Sequence, residues 1–261
     1  MKRSALFRWI PFKLAALVAP LIAAWPQRTQ AANNGDWNIA GSGSWAIYAN
    51  WNGVNPPVPG FAAGAVVNFT TNPTASATVT LDGNRTVGTL NISPATASVA
   101  LTLAGNNTGG YLIFDNGAGT AALNFTTGAA AGLNTIFAPI VLNSNLEVSS
   151  TVAGAQSLRG TITGAGSVTF DSNGTHGALV TNTLGDFSVN GINSYAGGTT
   201  ITESRVVAGT SWAFGTGAVT VGNGGGIYMS GGGFFNNNMS LAGQGWNEGT
   251  GLLGAIRMDA N

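Results

Sequence analysis

The chain has 261 residues, of which only 7% are charged, 40 are glycine and none is cysteine; an ordinary domain carries roughly 25% charged residues. Without cysteine, neither disulfides nor thiolate metal centres can stabilise it. Formal neutrality hides an asymmetry: Lys2, Arg3, Arg8, Lys13 and Arg28 all lie near the start, leaving Arg85, Arg159, Arg205 and Arg257 against all nine carboxylates, a net charge of −5. Four scattered arginines and no lysine give no footprint for a phosphate backbone, which excludes nucleic acid as the expected partner.

In chain order, the first element is a basic start followed by an apolar run over residues 14–24, then polar residues leading to Thr29-Gln30-Ala31. That run falls short of the ~20 residues needed to cross a bilayer core, so residues 1–31 read as a cleavable signal peptide. Cleavage after Ala31 or after Ala32 fits the small side chains there. Its removal leaves no transmembrane segment, and export to the cell surface, the outer membrane or the extracellular space is the expected localisation. The ~230 residues that remain are enough for one sizeable core. They are too rich in Val, Ile, Leu, Thr and Phe for a disordered chain.

Residues 32–62 form a segment rich in tryptophan, with Trp37, Trp45 and Trp51 beside Tyr48. Two readings compete for these rings. They can plug the start of a repetitive core, or they can offer flat apolar faces to sugar rings. The plug is favoured, because a repetitive core must shield its first layer.

From residue 63 onward, short alternating or fully apolar runs recur between Gly and Asn punctuation, and no segment shows a 3.6-residue period. Ala65-Val66-Val67-Asn68-Phe69-Thr70, Ala77-Thr78-Val79-Thr80-Leu81 and Thr86-Val87-Gly88-Thr89-Leu90-Asn91-Ile92 read as strands. So do Val99-Ala100-Leu101-Thr102-Leu103 and Tyr111-Leu112-Ile113-Phe114. Asp82-Gly83-Asn84, residues 106–110 and Asp115-Asn116-Gly117 read as turns, where Gly and Asn accept positive φ. Further on, Gly164-Ala165-Gly166-Ser167-Val168-Thr169-Phe170 returns as Gly215-Thr216-Gly217-Ala218-Val219-Thr220-Val221, with a looser echo at Ala77-Thr78-Val79-Thr80-Leu81-Asp82-Gly83. Repetition of this kind suggests stacked coils of about 20–25 residues. Roughly ten coils at ~4.8 Å per layer make a stack about 50 Å long, in which like side chains form ladders. An ordinary β-sandwich with loosely similar hairpins is the other architecture open to this pattern.

Residues 160–228 resemble the autotransporter-associated β-strand repeat. The match is carried by Thr161-Ile162-Thr163-Gly164-Ala165-Gly166-Ser167-Val168-Thr169, by Asn193-Ser194-Tyr195-Ala196-Gly197-Gly198-Thr199-Thr200-Ile201, and by Phe214-Gly215-Thr216-Gly217-Ala218-Val219-Thr220-Val221. The Tyr195 to Ile201 piece is the most specific. Ser44-Trp45, Asn50-Trp51 and Ile140-Val141-Leu142 fit the leader of such proteins. The resemblance implies a right-handed parallel β-helix displayed on or released from a bacterial surface, without shared catalytic residues. It also implies a truncated member, because no translocator barrel follows.

Candidate chemistry is sparse. His176, the one histidine, sits in the turn-like Ser172-Asn173-Gly174-Thr175-His176-Gly177, and one imidazole without thiolates cannot build a usual metal site. Glycoside hydrolysis needs two carboxyl groups facing one bond; Asp171 with Asp186, and Glu203 beside Arg205, are the candidates. The Gly-x-Gly stretches continue as strand rather than opening a helix, so they do not cradle phosphates. No cofactor, metal or catalytic residue is expected. The sequence predicts a non-catalytic exported β-solenoid acting as passenger, adhesive or spacer, with self-association or cell-surface contact as its partners. A polysaccharide-binding module using Trp37, Trp45, Tyr48 and Trp51 is the first alternative, and a β-helix lyase or hydrolase the second.

Overall fold

A computed structural model describes residues 32–52, 58–93, 99–105, 109–126, 134–151, 156–172, 192–230, 234–247 and 251–258, together with the backbone of 186–189. The predicted signal peptide and His176 lie outside these residues. The described chain is nearly all β, and its single helical element is a 3-10 turn at Tyr48–Asn50.

Three sheets of ten, nine and four strands, here A, B and C, account for the strands. The chain enters them in rotation. Val66–Phe69 joins A, Ala77–Thr80 joins B and Arg85–Val87 joins C. Thr89–Ile92, Leu101–Ala104 and Leu112–Phe114 then repeat the order. Pairing within each sheet is parallel, as in Val66↔Thr89, Ala77↔Leu101 and Arg85↔Leu112. The exception among the named strands is Gly35–Trp37 with Trp51–Asn52, an antiparallel pair at one edge of sheet A. Sheet C ends at Ile162–Gly164, yet its line of backbone bonds continues. Ser194 and Ala196 donate to Ile162 and Gly164 at 2.9 and 3.0 Å, and Thr216 donates to Tyr195 at 3.0 Å.

Alternation explains the core. In Ala121–Phe125, residues Ala121, Leu123 and Phe125 point inward and are fully buried, while Ala122 and Asn124 face out. The same period-2 division recurs from strand to strand in matched register, so inward rows of Val, Leu, Ile and Phe merge into one core. Outward positions align as well. Asn68 donates to Asp36 at 2.7 Å, Asn91 to Asn68 at 2.7 Å, Asn124 to Asn91 at 2.9 Å, and the Ser149 hydroxyl to Asn124 at 2.8 Å. Each amide both donates and accepts along this row, which a column of carboxylates could not do. The scarcity of acidic residues follows.

Two readings need correction. Thr86 to Ile92 is not one strand: Gly88 divides it, sending Arg85–Val87 to sheet C and Thr89–Ile92 to sheet A. A Cβ at Gly88 would lie 2.6 Å from the Gly64 Cα, so the corner exists because glycine lets two backbones touch. The spacing is also less even than 20–25 residues. Bonded neighbours are 23 residues apart at Asn91 and Asn68, 33 at Asn124 and Asn91, and 20 at Asn237 and Gly217. The longer steps place extra residues in connections. As for the sequence echo, Val168–Asp171 and Val219–Val221 do share sheet A, whereas Ala77–Thr80 belongs to B.

The Tyr195 to Ile201 motif has a clear physical role. Tyr195 is buried, and its hydroxyl meets the Thr199 hydroxyl at 2.6 Å, which in turn bonds the Phe214 carbonyl at 3.3 Å. Burial pushes the phenol well above its ordinary value of 10.0, with the Thr199 bond opposing part of the shift. A phenol that resists ionisation only in the folded state is a liability in alkali. Above about pH 10 the unfolded chain releases the proton and the folded chain does not, so stability falls as pH rises. Tyr195→Phe should cost about 1 kcal/mol at neutral pH through the lost hydrogen bond. It should also flatten the alkaline decline, as urea titrations at pH 7 to 11 would show.

Candidate functional site

The N-terminal aromatics belong to the core. Trp45 is 0% exposed, Trp37 3% and Trp51 4%. Trp37 and Trp51 meet edge-on with centroids 5.1 Å apart, Trp45 lies 5.0 Å from Trp51, and Phe69 touches all three at 5.4–5.6 Å. Two of the three indole N–H groups donate to backbone carbonyls within this packing. Trp45 Nε1 donates to the Pro59 carbonyl and Trp51 Nε1 to that of Trp45, each at 2.9 Å. Such rings have no face left for a sugar. Of the four residues considered for stacking, only Tyr48 is exposed, on the 3-10 turn.

The carboxylate candidates take different places in the sheets. Asp171 is half-buried on the outer face of sheet A, aligned with Thr202. Asp186 belongs to sheet B, aligned with Arg205. Glu203 is exposed at a turn with φ +49°. Neither register aligns two carboxylates, and no cluster of three metal-ligating side chains occurs among the described residues.

Each of the four arginines among the described residues sits over an aromatic ring. Arg85 lies 4.9 Å from the centre of Phe61 and Arg159 5.6 Å from that of Phe137, while Arg205 and Arg257 both approach Tyr228, at 5.8 and 4.9 Å. A cation over a ring contributes ~0.5–1 kcal/mol at exposed sites and more when desolvated. Arg85 is buried and also donates to the Leu81 carbonyl at 2.8 Å and to the Asp82 carbonyl at 3.3 Å. Burial draws its pKa below the ordinary guanidinium value, and the Asp82 charge counters part of that. These arginines are structural clamps rather than a binding patch.

An open cleft lies elsewhere. It measures about 410 Å³ and is lined by Ser211, Trp212, Gly215, Thr216, Phe234, Asn236 and Asn237. Alternation makes it. In the adjacent pair Phe234-Phe235, Phe235 turns in to meet Phe214 at 5.2 Å, which throws Phe234 out to 90% exposure. Trp212 is 49% exposed beside it. Neither Trp212 nor Phe234 was singled out from the sequence. The available signal was a tryptophan in a small-residue stretch, Gly209-Thr210-Ser211-Trp212-Ala213, where no strand pattern requires a large ring.

Asn237 is held in place, its Nδ2 donating to the carbonyls of Gly217 at 2.7 Å and Gly215 at 3.2 Å. No described helix is long and apolar enough to cross a membrane. No family model, curated protein or solved structure gives a significant match to the chain.

Proposed function

We propose that the three sheets are the walls of a right-handed parallel β-helix, and that the chain is an exported, non-catalytic bacterial module serving as passenger, adhesive or spacer. The rotation A, B, C with parallel pairing is what a β-solenoid requires. Right-handedness follows from the strong preference of parallel crossovers. The observation that carries the function is the outer face of sheet A. There Thr169, Thr200, Thr220 and Ser240 align in register beside the Asp36-Asn68-Asn91-Asn124-Ser149 row. A long hydrogen-bonding wall of mostly uncharged side chains, with Asp36 and Glu147 as its carboxylates in these rows, suits contact with a surface or with another copy. Among the described residues no register pair joins two carboxylates, the arrangement that glycoside hydrolysis would need.

Expression of the whole chain in a Gram-negative host, followed by fractionation and N-terminal sequencing, tests this reading. The expected product is a cell-surface or extracellular protein beginning at residue 32 or 33, which releases no new reducing or unsaturated ends from acidic or neutral glycans. Cytoplasmic retention with Met1 intact, or glycan cleavage by the purified protein, would overturn it.

A further inference from the structure

We infer that the cleft bounded by Trp212 and Phe234 is a binding subsite for a short neutral oligosaccharide. The inference does not rest on export or on the display role proposed above.

The two rings differ from those that carry an arginine. Phe61, Phe137 and Tyr228 are each covered by an arginine. Trp212 and Phe234 make no ring or cation contact with the described residues, although they are large and exposed. Leaving a phenylalanine at 90% exposure forgoes roughly 1.5–3 kcal/mol of burial, so these rings stand ready for an apolar surface that the described fold does not supply.

The rest of the lining defines what that surface must belong to. Ser211, Thr216, Asn236 and Asn237 bring hydroxyl and amide groups, and no lining residue is charged. A ligand with apolar faces and neutral polar edges fits this set. A pyranose is such a ligand, with C–H groups for the rings and hydroxyls for the amides. The two bonds from Asn237 Nδ2 fix the orientation of its side chain, which aims its Oδ1 as a preset acceptor. Gly215 keeps one side of the cleft as bare backbone. Its φ is +64°, and a Cβ there would fall 2.4 Å from the Tyr195 carbonyl oxygen.

Length follows from the neighbouring segment. Asn193 donates to the Trp212 carbonyl at 3.2 Å, which sets Ile192, itself 68% exposed, beside Trp212. The lining itself joins segment 211–216 to segment 234–237, and a chain of sugars covers such a span better than a single ring. The volume of about 410 Å³ lies within the ~300–1,000 Å³ typical of small-ligand sites.

The test uses the whole chain and titration calorimetry with cello-, xylo-, manno- and malto-hexaose, polygalacturonate, and zwitterionic phosphatidylcholine vesicles. At least one neutral hexaose should bind, and Trp212→Ala and Phe234→Ala should each weaken it tenfold or more. Both rings are solvent-facing, so the melting temperature of each variant should stay within a few degrees of the parent. Tyr48→Ala, far along the chain on the N-terminal 3-10 turn, should leave the affinity unchanged. Binding to no neutral hexaose, binding confined to polygalacturonate or vesicles, or neutral-sugar affinity indifferent to both substitutions would each overturn the assignment.

Discussion

Trp45→Ala should destabilise the chain by about 3–5 kcal/mol, the usual cost of deleting a buried indole. Three losses combine. The ring is fully enclosed, its N–H bond to the Pro59 carbonyl disappears, and Trp51 and Phe69 lose a neighbour at 5.0 and 5.4 Å. Surroundings cannot collapse easily, because Trp51 is itself pinned by its bond to the Trp45 carbonyl. The expected result is a large drop in the urea midpoint, with the fluorescence of the remaining buried tryptophans moving toward that of solvated indole. Tyr48→Ala, three residues away but exposed, should change stability by no more than about 0.5 kcal/mol. A Trp45→Ala protein as stable as the parent would show that the aromatic cluster does not hold the N-terminal end together.

Gly197→Ala should be nearly as damaging, at about 3 kcal/mol or more, although it adds a single methyl group. That Cβ would stand 2.4 Å from the Ser167 nitrogen and 2.5 Å from the Gly166 carbonyl carbon. Both are backbone atoms of the adjacent strand region, so no rotamer change relieves the clash and the layers must separate. Neighbouring positions repeat the arrangement. A Cβ at Gly166 would lie 2.2 Å from the Ser144 oxygen, and one at Gly217 2.4 Å from the Gly198 nitrogen. Gly41→Ala is the matched control, since nothing lies within 4 Å of its added carbon. Thermal melts of the two variants should differ by many degrees, and similar melts would refute close backbone contact at this corner.

These two substitutions mark what kinds of structural information were legible. Strand positions such as Val66–Phe69, Ala77–Thr80 and Leu112–Phe114 agree closely with the alternating runs. So do the turns at Asp82-Gly83 and Gly117, which take positive φ. Each depends on a period of two or on a local dihedral preference, and both are written into adjacent residues. The continuous reading of Thr86 to Ile92 failed because the bend at Gly88 is forced by Gly64, 24 positions earlier in the chain. For the candidate site, Trp37, Trp45 and Trp51 were conspicuous as a cluster, and conspicuousness does not distinguish a plug from a platform. The cleft joins Ser211, Trp212 and Thr216 to Phe234, Asn236 and Asn237, so it becomes visible only when two separate segments lie side by side.

By itself, then, the sequence determined the all-β class, the inward and outward faces of most strands and the scarcity of charge. Tertiary structure decided the rotation through three sheets, the corners where glycine admits a neighbouring backbone, the pairing of each arginine with a ring, and the exposure of Trp212 and Phe234. The division has one physical cause. Alternation sorts side chains within a strand, whereas parallel pairing brings together residues 19 to 36 positions apart, and every strand carries the same alternation and so leaves its partner unspecified until the chain is packed.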